Sequence, residues 1–567
     1  MITDVAGIDK EFDYVVPVSS ESVVSVGTEV RVELHGRRVG GWVSELGVEP
    51  PEGLALRPLS KVRGWGPEPE LVDLASWAAH RWASRRGAFL KTASAEHAVP
   101  FLPPPRSRPP APPGPGWAAE FASRLQARTE VVQLPPSSDP TALVGAVAQL
   151  GPTLVIVPSA SRADVLAGRL SRAGGDVALL PGDWARARAG AAVVVGARAS
   201  AWGPCPGLAA AVVIDAHDEG LSQEGAPTWN AVAVVSERAA RSSVPLVLIT
   251  PCPTPELLAL GPLTVAEPDR QRSGWAQLEI VDRRGDDPRL GLYSERLVTL
   301  LRSADRAVCV LNRTGRARLL ACAACGELAR CERCGSALSQ DDAGGLECNR
   351  CGLVRPEMCA SCTSTLLRRL KVGVSRAREE LELLTGRPVG EVTASTADVP
   401  DSDLLIGTEA VLHRLVPADG YRNVVFVDFD HELMAPRFRA ATEAFALLAL
   451  ASRLVGGRQG RVAVQTRQPE HPAIRAALFA DPRILVGWDL AMRKSLQLPP
   501  YCALALVSGE GAGEYVAGLA DQQVEVLGPR DGEWMVKSTT PQSLASALAS
   551  VPRPATRLRI AVDPARL

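Results

Sequence analysis

Eight of the twelve cysteines form four Cys-x-x-Cys pairs: Cys322/Cys325, Cys331/Cys334, Cys348/Cys351 and Cys359/Cys362. Each pair can close a tight turn whose two thiolates bind one metal ion, and two pairs complete the all-cysteine tetrahedron that structural zinc prefers. A disulfide cluster is the alternative, but repeated Cys-x-x-Cys pairs in a chain without a secretory signal favour metal. The sequence therefore predicts two structural zinc sites that stabilise a fold and take no part in catalysis.

The spacing between the pairs predicts how they share the two ions. Five residues separate Cys325 from Cys331, which is short for a hairpin joining two turns of one site, whereas thirteen separate Cys334 from Cys348. The longer segment contains Asp-Asp-Ala-Gly-Gly at 341–345, a strong turn signal. The predicted ligands are Cys322, Cys325, Cys359 and Cys362 for zinc 1, and Cys331, Cys334, Cys348 and Cys351 for zinc 2.

Charge and hydropathy limit the classes of protein to which the chain can belong. It carries 62 basic and 63 acidic residues, so any nucleic-acid binding must depend on local clustering of charge. Residues 313–378 hold twelve Arg or Lys and six Asp or Glu, a net charge of +6, although such a run is often only a solvated surface. The first ten residues lack the pattern of a secretory signal, and no charge-free run is long enough to span a membrane. A cytoplasmic protein is expected.

The first hundred residues predict a small β-rich unit. Residues 12–46 alternate apolar and polar side chains in short β-branched runs, which is typical of a small barrel or sheet. Apolar residues then recur at helical spacing, so a helix should pack against that sheet through Leu71, Leu74, Trp77, Ala78 and Trp82. Nine of the seventeen residues from 100 to 116 are proline, which predicts an extended linker, because proline lacks an N–H and fixes φ.

Beyond the linker, apolar strand-like runs alternate with helical patterns in two blocks. Examples are 153–157 and 211–214 in the first block, and 307–311 and 424–427 in the second. Such alternation is typical of a parallel sheet covered by helices on both faces. We therefore expect two α/β domains, the second interrupted by the cysteines, followed by an α+β piece from about residue 501.

Several short motifs stand in an order that is typical of one family. Phe12-Asp13-Tyr14-x-x-Pro17, with Arg57-Pro58 further along, resembles the signature of the DNA 3′-end domain of the PriA family, superfamily 2 helicases that reload the replication machinery at abandoned forks. That family often has Lys-Pro where this chain has Arg57-Pro58. Asn-Arg-Thr-Gly at 312–315 resembles the segment that leads into the cysteines, and Ile-Gly-Thr-Glu at 406–409 resembles a helicase motif. All eight cysteines have counterparts, and in the family each quartet holds one zinc ion.

The resemblance implies a fold class and a domain order. The fold class is multidomain α/β, with a small β-rich DNA-binding domain, two RecA-like parallel-sheet lobes, a two-zinc cysteine module inserted in the second lobe and a C-terminal α+β domain. The winged-helix domain that the family usually carries is replaced by the linker. The implied bounds are 1–100 for the 3′-end-binding domain, 101–117 for the linker, 118–268 for lobe 1, 269–500 for lobe 2 with the cysteine module at 320–365, and 501–567 for the C-terminal domain.

The motifs for nucleotide hydrolysis depart from the family. A phosphate-binding Gly-x-x-x-x-Gly-Lys-Ser/Thr loop is missing, since none of the six lysines follows a glycine, and Pro-Pro-Ser-Ser-Asp-Pro stands at 135–140 instead. Asp215 persists, but Ala216 occupies the place of the catalytic glutamate, and His217 or Glu219 would be misplaced as a base. Two further motifs, at 250–254 and 450–458, have also changed; the second contains Arg453 and Arg458, so one arginine-finger candidate survives and another is displaced. These losses predict a pseudo-helicase that is not an enzyme, with no catalytic residue and no ATP as cofactor.

The expected function is a replication-restart scaffold at the nucleoid that recognises forked or 3′-ended DNA. By resemblance, it recruits primosome proteins and single-stranded DNA-binding protein, with two Zn²⁺ ions as structural cofactors and no membrane partner. One alternative is an active ATP-dependent 3′–5′ helicase with an atypical nucleotide site, and another is a zinc-ribbon adaptor in transcription or translation. The predicted DNA-contacting residues are Phe12, Asp13, Tyr14, Arg57, Arg368, Arg369 and Lys371; for Phe12 and Tyr14, the alternative role is a place in the barrel core.

Overall fold

The computed structural model describes residues 1–5, 7–49, 55–105, 116–265, 268–286, 291–311, 320–340, 345–348, 351–369 and 374–564. The segment 106–115 of the predicted linker, the predicted turn at 341–344 and the motif at 312–315 therefore lie outside the described residues. Among the described helices, none is long and apolar enough to cross a membrane.

An antiparallel sheet in the order β1-β3-β2-β4 opens the chain. Its strands are β1 (Ile2–Thr3), β2 (Glu29–Leu34), β3 (Arg37–Trp42) and β4 (Lys61–Gly64). His35 and Gly36 join β2 to β3 with φ of 49° and 76°, the paired positive values of a two-residue turn that matches strand twist. Two helices follow, α1 (Pro69–Arg81) and α2 (Arg86–Ala93).

Lobe 1 is built on a parallel sheet of seven strands in the order β11-β5-β10-β9-β6-β8-β7. Its central strands are fully buried because helices cover both faces, as the continuous apolar runs predict. The strands are β5 (Thr129–Gln133), β6 (Thr153–Ile156), β7 (Val177–Leu179), β8 (Val193–Gly196), β9 (Ala210–Ile214), β10 (Leu246–Thr250) and β11 (Leu263–Val265). The helices are α3 (Trp117–Ser123), α4 (Thr141–Val147), α5 (Ala160–Arg172), α6 (Trp184–Gly190), α7 (Ala231–Ser242) and α8 (Pro255–Leu258).

Lobe 2 has a second parallel sheet, in the order β12-β22-β21-β13-β20-β19. The cysteine module is inserted in the chain after β13. The first elements are α9 (Pro268–Ser273), β12 (Gln277–Asp282), α10 (Glu295–Ser303) and β13 (Ala307–Val310). The module contributes β14 (Leu320–Cys322), β15 (Leu338–Gln340), β16 (Gly345–Cys348), β17 (Val354–Pro356) and β18 (Leu367–Arg369). The lobe then continues with α11 (Val374–Thr385), β19 (Gly390–Val392), β20 (Leu404–Gly407), α12 (Ala410–Arg414), β21 (Asn423–Phe426), α13 (Asp430–Leu433), α14 (Ala440–Leu454), β22 (Arg461–Thr466), α15 (Pro472–Leu478) and α16 (Arg483–Ser495).

The C-terminal region folds as an antiparallel sheet in the order β24-β25-β23-β26. Its elements are β23 (Ala503–Ser508), α17 (Ala512–Ala517), β24 (Glu525–Arg530), β25 (Glu533–Ser538), α18 (Pro541–Ser550) and β26 (Arg559–Val562). The predicted fold class, multidomain α/β with a β-rich start, two parallel-sheet lobes, a cysteine insertion and an α+β end, is confirmed.

The packing of α1 differs from its prediction. Leu71, Leu74, Ala78 and Trp82 are buried, but they belong to one continuous core shared by α1, α2, lobe 1 and the C-terminal sheet. Ring contacts run through this core, from Trp82 to Phe89 at 6.0 Å and from Phe89 to Trp202 at 5.1 Å. The small N-terminal sheet offers the helix little apolar area beyond Ile2 and Trp42, so its apolar face is covered mainly by the neighbouring domains. The N-terminal helices, lobe 1 and the C-terminal sheet are therefore packed as one body.

Candidate functional site

The cysteine module brings the eight cysteines into two groups of four. Within each group the four sulfur atoms lie within 4.8 Å of one another. The shortest Sγ–Sγ distances are 3.5 Å for Cys322–Cys362 and Cys325–Cys359 in the outer group, and 3.4 Å for Cys331–Cys351 in the inner group. Sulfur atoms about 3.8 Å apart are expected around a tetrahedral Zn²⁺ with bonds of about 2.3 Å. Each group could therefore hold one metal ion, and the groups are the two quartets that the spacing predicts.

Each Cys-x-x-Cys turn has the same backbone hydrogen bond. The residue after the second cysteine donates its N–H to the carbonyl of the first, over 2.8 to 3.0 Å, from Gly326, Gly335, Gly352 and Thr363. All four donors have positive φ, between 60° and 75°. Glycine adopts this conformation without strain, whereas a β-branched residue such as Thr363 does not. The fourth turn is thus strained where the other three are relaxed.

We expect Thr363→Gly to stabilise the module by about 0.5–1 kcal/mol, because it removes the left-handed strain of a β-branched residue and costs some backbone entropy. The measurement is the rate of metal loss to excess chelator, which should fall. Gly352→Thr is the matched control, since an added Cβ there meets no atom within 4 Å and only the φ of 72° is strained. Metal loss should be faster in that control; equal rates in both variants would refute the strain argument.

Polar contacts between described residues join the module to the rest of the protein. The Ala337 N–H donates to the Met434 carbonyl at 2.9 Å, and Arg330 donates to the Gln468 side chain at 3.1 Å. On the other side, Arg530 of the C-terminal sheet pairs with Glu347 at 2.7 Å. The module is therefore anchored to both lobe 2 and the C-terminal domain.

The structure describes only part of the predicted basic strip. Arg368 lies on β18, opposite Ala321, and its side chain is half-buried. The backbone of Arg369 continues that strand, and Lys371 lies outside the described residues. Arg378, further along the chain, pairs with Glu382 of the same helix, α11, at 2.9 Å, and this pair neutralises its charge. A phosphate contact by Arg368, Arg369 or Lys371 stays a prediction.

The predicted DNA-end residues lie beside the first sheet. Phe12, Asp13 and Tyr14 are half-buried and Arg57 is exposed. The backbones of segments 12–15 and 57–59 run side by side, since the Val15 N–H donates to the Arg57 carbonyl at 2.9 Å. The Tyr14 hydroxyl donates to the Glu33 carbonyl at 3.1 Å, and Arg57 pairs with the Glu33 carboxylate at 3.3 Å. Glu33 is thus a neighbour of two predicted residues that the sequence did not single out.

Phe12 and Tyr14 differ in how well they fit the alternative role, a place in the core of the first sheet. Tyr14 packs against the apolar cluster that contains Val30 and Val32, and its incomplete burial raises the pKa of its hydroxyl. Phe12 belongs to none of the apolar clusters of the described chain and is tied down by its backbone, which exchanges hydrogen bonds with Met1 at 2.9 and 3.0 Å. Among the described residues, the Phe12 ring is therefore not part of an apolar core.

A second candidate site is the cleft between the two lobes, where Asp215 follows β9. Its side chain is buried, and its φ is 51°. Arg453 of α14 donates to both carboxylate oxygens, at 2.6 Å to Oδ1 and 2.8 Å to Oδ2, and Arg162 of α5 also donates to Oδ2. The Arg453 Nε atom donates to the carbonyl of Pro136 at 2.8 Å. One lobe 2 side chain therefore contacts both the Asp215 loop and the loop at the expected nucleotide position.

The electrostatics of this cluster favour the charged form of Asp215. Burial alone would raise the pKa of its carboxyl, but the charge and hydrogen bonds of Arg453, with the charge of Arg162, hold that pKa well below its usual range. Burial lowers the pKa of neighbouring His217, whose Nδ1 lies 2.9 Å from the Thr250 hydroxyl. Ala216, where the family has its catalytic glutamate, is buried. Arg162 was missed by sequence reasoning, because nothing in its local sequence marks it.

Asp430 lies on the lobe 2 side of the cleft, in α13. It is almost fully buried, faces Asp428 and Arg467, and accepts hydrogen bonds from the Thr466 hydroxyl at 2.5 Å and the Arg467 N–H at 2.9 Å. Burial and the Asp428 charge raise its pKa from 3.8 to about 6. A carboxyl with a raised folded-state pKa stabilises the fold below its unfolded pKa, and this contribution is lost as pH rises through the folded value.

We expect Asp430→Asn to remove a pH-dependent destabilisation that develops between pH 4 and pH 6. The difference in unfolding free energy between variant and wild type should shift by roughly 2–3 kcal/mol in favour of the variant across that window, about 1.4 kcal/mol per pKa unit. Urea unfolding at a series of pH values measures it. A difference that stays constant from pH 4 to pH 7 would show that this carboxyl is not the source.

The comparisons with known proteins reach 92% of this chain. Residues 1–95 match the family model described as the 3′ DNA-binding domain (3′BD). The probable replication restart protein PriA of Mycobacterium tuberculosis (strain CDC 1551 / Oshkosh) is 30% identical, over 92% of this chain and 89% of that protein. The replication restart protein PriA of Bacillus subtilis (strain 168) is 27% identical over 56% of this chain, and the match spans only 43% of that longer relative.

Among solved structures, S. cerevisiae Dbp5 bound to RNA and ADP BeF3 covers 67% of this chain and 94% of its own, with 12% identity and a TM-score of 0.37. An identity and a TM-score this low show nothing about the function of this chain.

The prediction that the chain is not an enzyme is wrong. It depended on four short motifs, whereas the similarity to the proteins named PriA extends through both lobes, and the resemblance above identified PriA proteins as ATP-dependent helicases. The altered motifs are therefore departures within an enzyme family. Because the similarity to the mycobacterial protein reaches 30% over nearly the full length of both chains, and the first 95 residues match the 3′ DNA-binding domain, this chain belongs to the family of the replication restart protein PriA.

Proposed function

We propose that this protein binds forked or 3′-ended DNA through its N-terminal domain and recruits primosome components to that DNA. The observation that carries the proposal is the match of residues 1–95 to the 3′ DNA-binding domain, which contains the Phe12-Asp13-Tyr14 segment. In this proposal the protein acts in the cytoplasm at the nucleoid, and its partners are the primosome proteins and single-stranded DNA-binding protein named by the resemblance.

The roles of the N-terminal residues follow from their chemistry. Asp13 accepts a hydrogen bond from the terminal sugar hydroxyl or base edge, and Phe12 and Tyr14 contact the terminal nucleotide through their rings. Arg57 contacts a phosphate. Its ion pair with Glu33 does not prevent this contact, because the pair is weak: both side chains are more than half exposed. Arg368, Arg369 and Lys371 follow the backbone of the same DNA.

The two cysteine quartets bind Zn²⁺ in this proposal. Four thiolates in a closed tetrahedral set suit zinc and leave no open position for a substrate, so the ions stabilise the module. The module's small core explains the need for them. Among the described residues, the module's own apolar cluster has seven buried members, and three of them are the ligands Cys331, Cys334 and Cys348.

The test of 3′-end recognition compares Asp13→Ala with wild type on labelled forks that carry either a free or a blocked 3′ end. We expect wild type to prefer the free end by about 10- to 100-fold, which corresponds to the roughly 1.5–3 kcal/mol of a hydrogen bond to a charged group, and the variant to bind both forks equally. Asp73→Ala is the control, because Asp73 is an exposed acid on α1 in the same domain. Unchanged preference in Asp13→Ala would refute the assigned role, and equal affinity for unstructured RNA would favour a zinc-ribbon adaptor.

A second candidate function is ATP-dependent strand separation, the activity of the helicase family. The juxtaposition of Asp215 and Arg453 across the lobes favours it, since such residues hold Mg²⁺ and stabilise phosphate charge in nucleotide-hydrolysing lobes. It would need phosphate contacts other than a Gly-x-x-x-x-Gly-Lys-Ser/Thr loop. Phosphate release and fork unwinding with ATP, compared between wild type and Asp215→Asn, test this candidate.

A further inference from the structure

Two acidic residues of lobe 1 face the cleft, and arginines of lobe 2 bind both of them. Asp215 follows β9 and Glu256 lies in α8, directly after β10, the strand next to β9. The carboxyl ends of adjacent parallel strands meet at one edge of a sheet, so both acids point from the same edge of lobe 1.

The first of these contacts is a bidentate pair. Both terminal nitrogens of Arg453 reach the two oxygens of Asp215, at 2.6 and 2.8 Å. Arg162 lies on the other side of the carboxylate and also pairs with Asp218 at 3.9 Å, so Asp215 is held between one arginine from each lobe. Parallel hydrogen bonds between a guanidinium and a carboxylate are the strongest geometry for such a pair, and only 5% of the Asp215 side chain is exposed to water.

The second contact uses Glu256 and two arginines of lobe 2. Arg439, at the start of α14, reaches Glu256 Oε1 at 2.8 Å, and Arg493 of α16 reaches the same oxygen at 2.6 Å. Arg493 is fully buried and also pairs with Asp489 of its own helix at 2.8 Å. The Glu256 carboxylate is thereby joined to two helices of the opposite lobe.

The Asp215 contact also involves the loop at 135–138. Arg453 binds the Pro136 carbonyl, and the Ser137 N–H donates to the carbonyl of Gly274, just after α9, at 3.3 Å. A Cβ added at Gly457 would come within 2.7 Å of Ser137 Oγ, so the backbone of lobe 2 closely approaches a lobe 1 side chain here. The loop, the acid and the arginine therefore form one continuous set of contacts between the two lobes.

We propose that the Asp215–Arg453 pair, braced by Arg162, and the Glu256 cluster form an interlobe latch that holds the two lobes together. In lobes closed by a nucleotide, an aspartate binds Mg²⁺ and an arginine binds phosphate. In the latch each of these two side chains neutralises the other. Closure of the cleft is then set by the protein's own charges, independently of whether the N-terminal domain binds DNA.

The latch is tested by hydrogen exchange of the segment 134–139 together with small-angle scattering. In Arg453→Gln we expect the Ser137 and Ser138 amides to exchange at least tenfold faster than in wild type, and the radius of gyration to increase. Wild type should give the same radius of gyration with and without ATPγS and Mg²⁺. Arg378→Gln is the matched control, because it removes an arginine from an ion pair within lobe 2 and should change neither measurement.

A variant that separates the latch from general stability is Arg453→Lys, which keeps the charge and loses the bidentate geometry. We expect its exchange rate to lie between those of wild type and Arg453→Gln, and this variant decides the question if Arg453→Gln fails to fold. Exchange equal to wild type in the folded arginine variants overturns the latch. A wild-type protein that contracts on adding ATPγS and Mg²⁺ overturns it as well, because closure would then depend on the nucleotide.

Discussion

We expect that replacing Cys348 with serine abolishes the inner of the two proposed zinc sites and unfolds the part of the cysteine module around it, while the outer site and the sheet of lobe 2 persist. Cys348 is fully buried at the end of β16, and its thiol lies 3.5 Å from that of Cys334. Serine is a poor zinc ligand, and a module with a core this small depends on the free energy of metal binding, about 10–16 kcal/mol for structural zinc sites in isolated peptides. Elemental analysis of the purified variant should find one zinc ion where wild type has two.

The same variant should become sensitive to trypsin within the module. Arg333 is exposed in the turn between Cys331 and Cys334, and metal binding is what keeps that turn closed. Cys502→Ser is the matched control, since Cys502 lies outside both quartets and should retain two ions. Two zinc ions in Cys348→Ser, or none in wild type, would disprove the assignment of the quartets.

Replacing Arg493 with alanine should cost about 3–5 kcal/mol of unfolding free energy, the typical cost of removing one partner from a buried ion pair. Its guanidinium is fully buried, pairs with Asp489 and Glu256, and donates to the Pro499 carbonyl at 3.0 Å. The Phe438 ring also lies 5.1 Å from its charged centre. The substitution removes the arginine from two carboxylates that cannot regain full hydration, and it leaves a cavity.

Urea unfolding measures this cost, and the same helix supplies its control. Arg483→Ala removes an arginine of α16 whose side chain is 78% exposed and which pairs with nearby Asp481. Water screens that pair, so we expect a far smaller loss in this variant than in Arg493→Ala. Equal losses in the two variants would mean that burial of Arg493 contributes nothing beyond a surface pair.

The shared core also bears on how the DNA-end domain works. Since α1 and α2 pack into the same core as lobe 1 and the C-terminal sheet, the N-terminal helices cannot rotate without breaking large aromatic contacts. Arg81 of α1 pairs with Asp563 after β26, and Thr228 of lobe 1 donates to the Val562 carbonyl at 2.9 Å. The predicted DNA-end residues therefore have a constant position relative to lobe 1, and a fork bound by both would be held in one orientation.

Features that depend on neighbours along the chain could be read from the amino-acid sequence. The pairing of the cysteines follows from turn geometry within a few residues, because a Cys-x-x-Cys turn closes through one backbone hydrogen bond and a five-residue segment is too short for the alternative hairpin. The parallel sheets follow from continuous apolar runs, since such strands are stable only when helices cover both faces. The fold class and the family were predictable for these reasons.

Tertiary structure alone decided the contacts between distant segments. Asp215 and Arg453 are 238 positions apart, and Arg493 and Glu256 come from different lobes, so no local pattern marks them as partners. The partner of α1 was also mispredicted, because an apolar helical face shows that a helix is buried but not what covers it. Local hydrogen bonding and side-chain periodicity are encoded within short segments of the chain, whereas charge pairing and shared cores arise only when packing brings separate segments within a few ångströms.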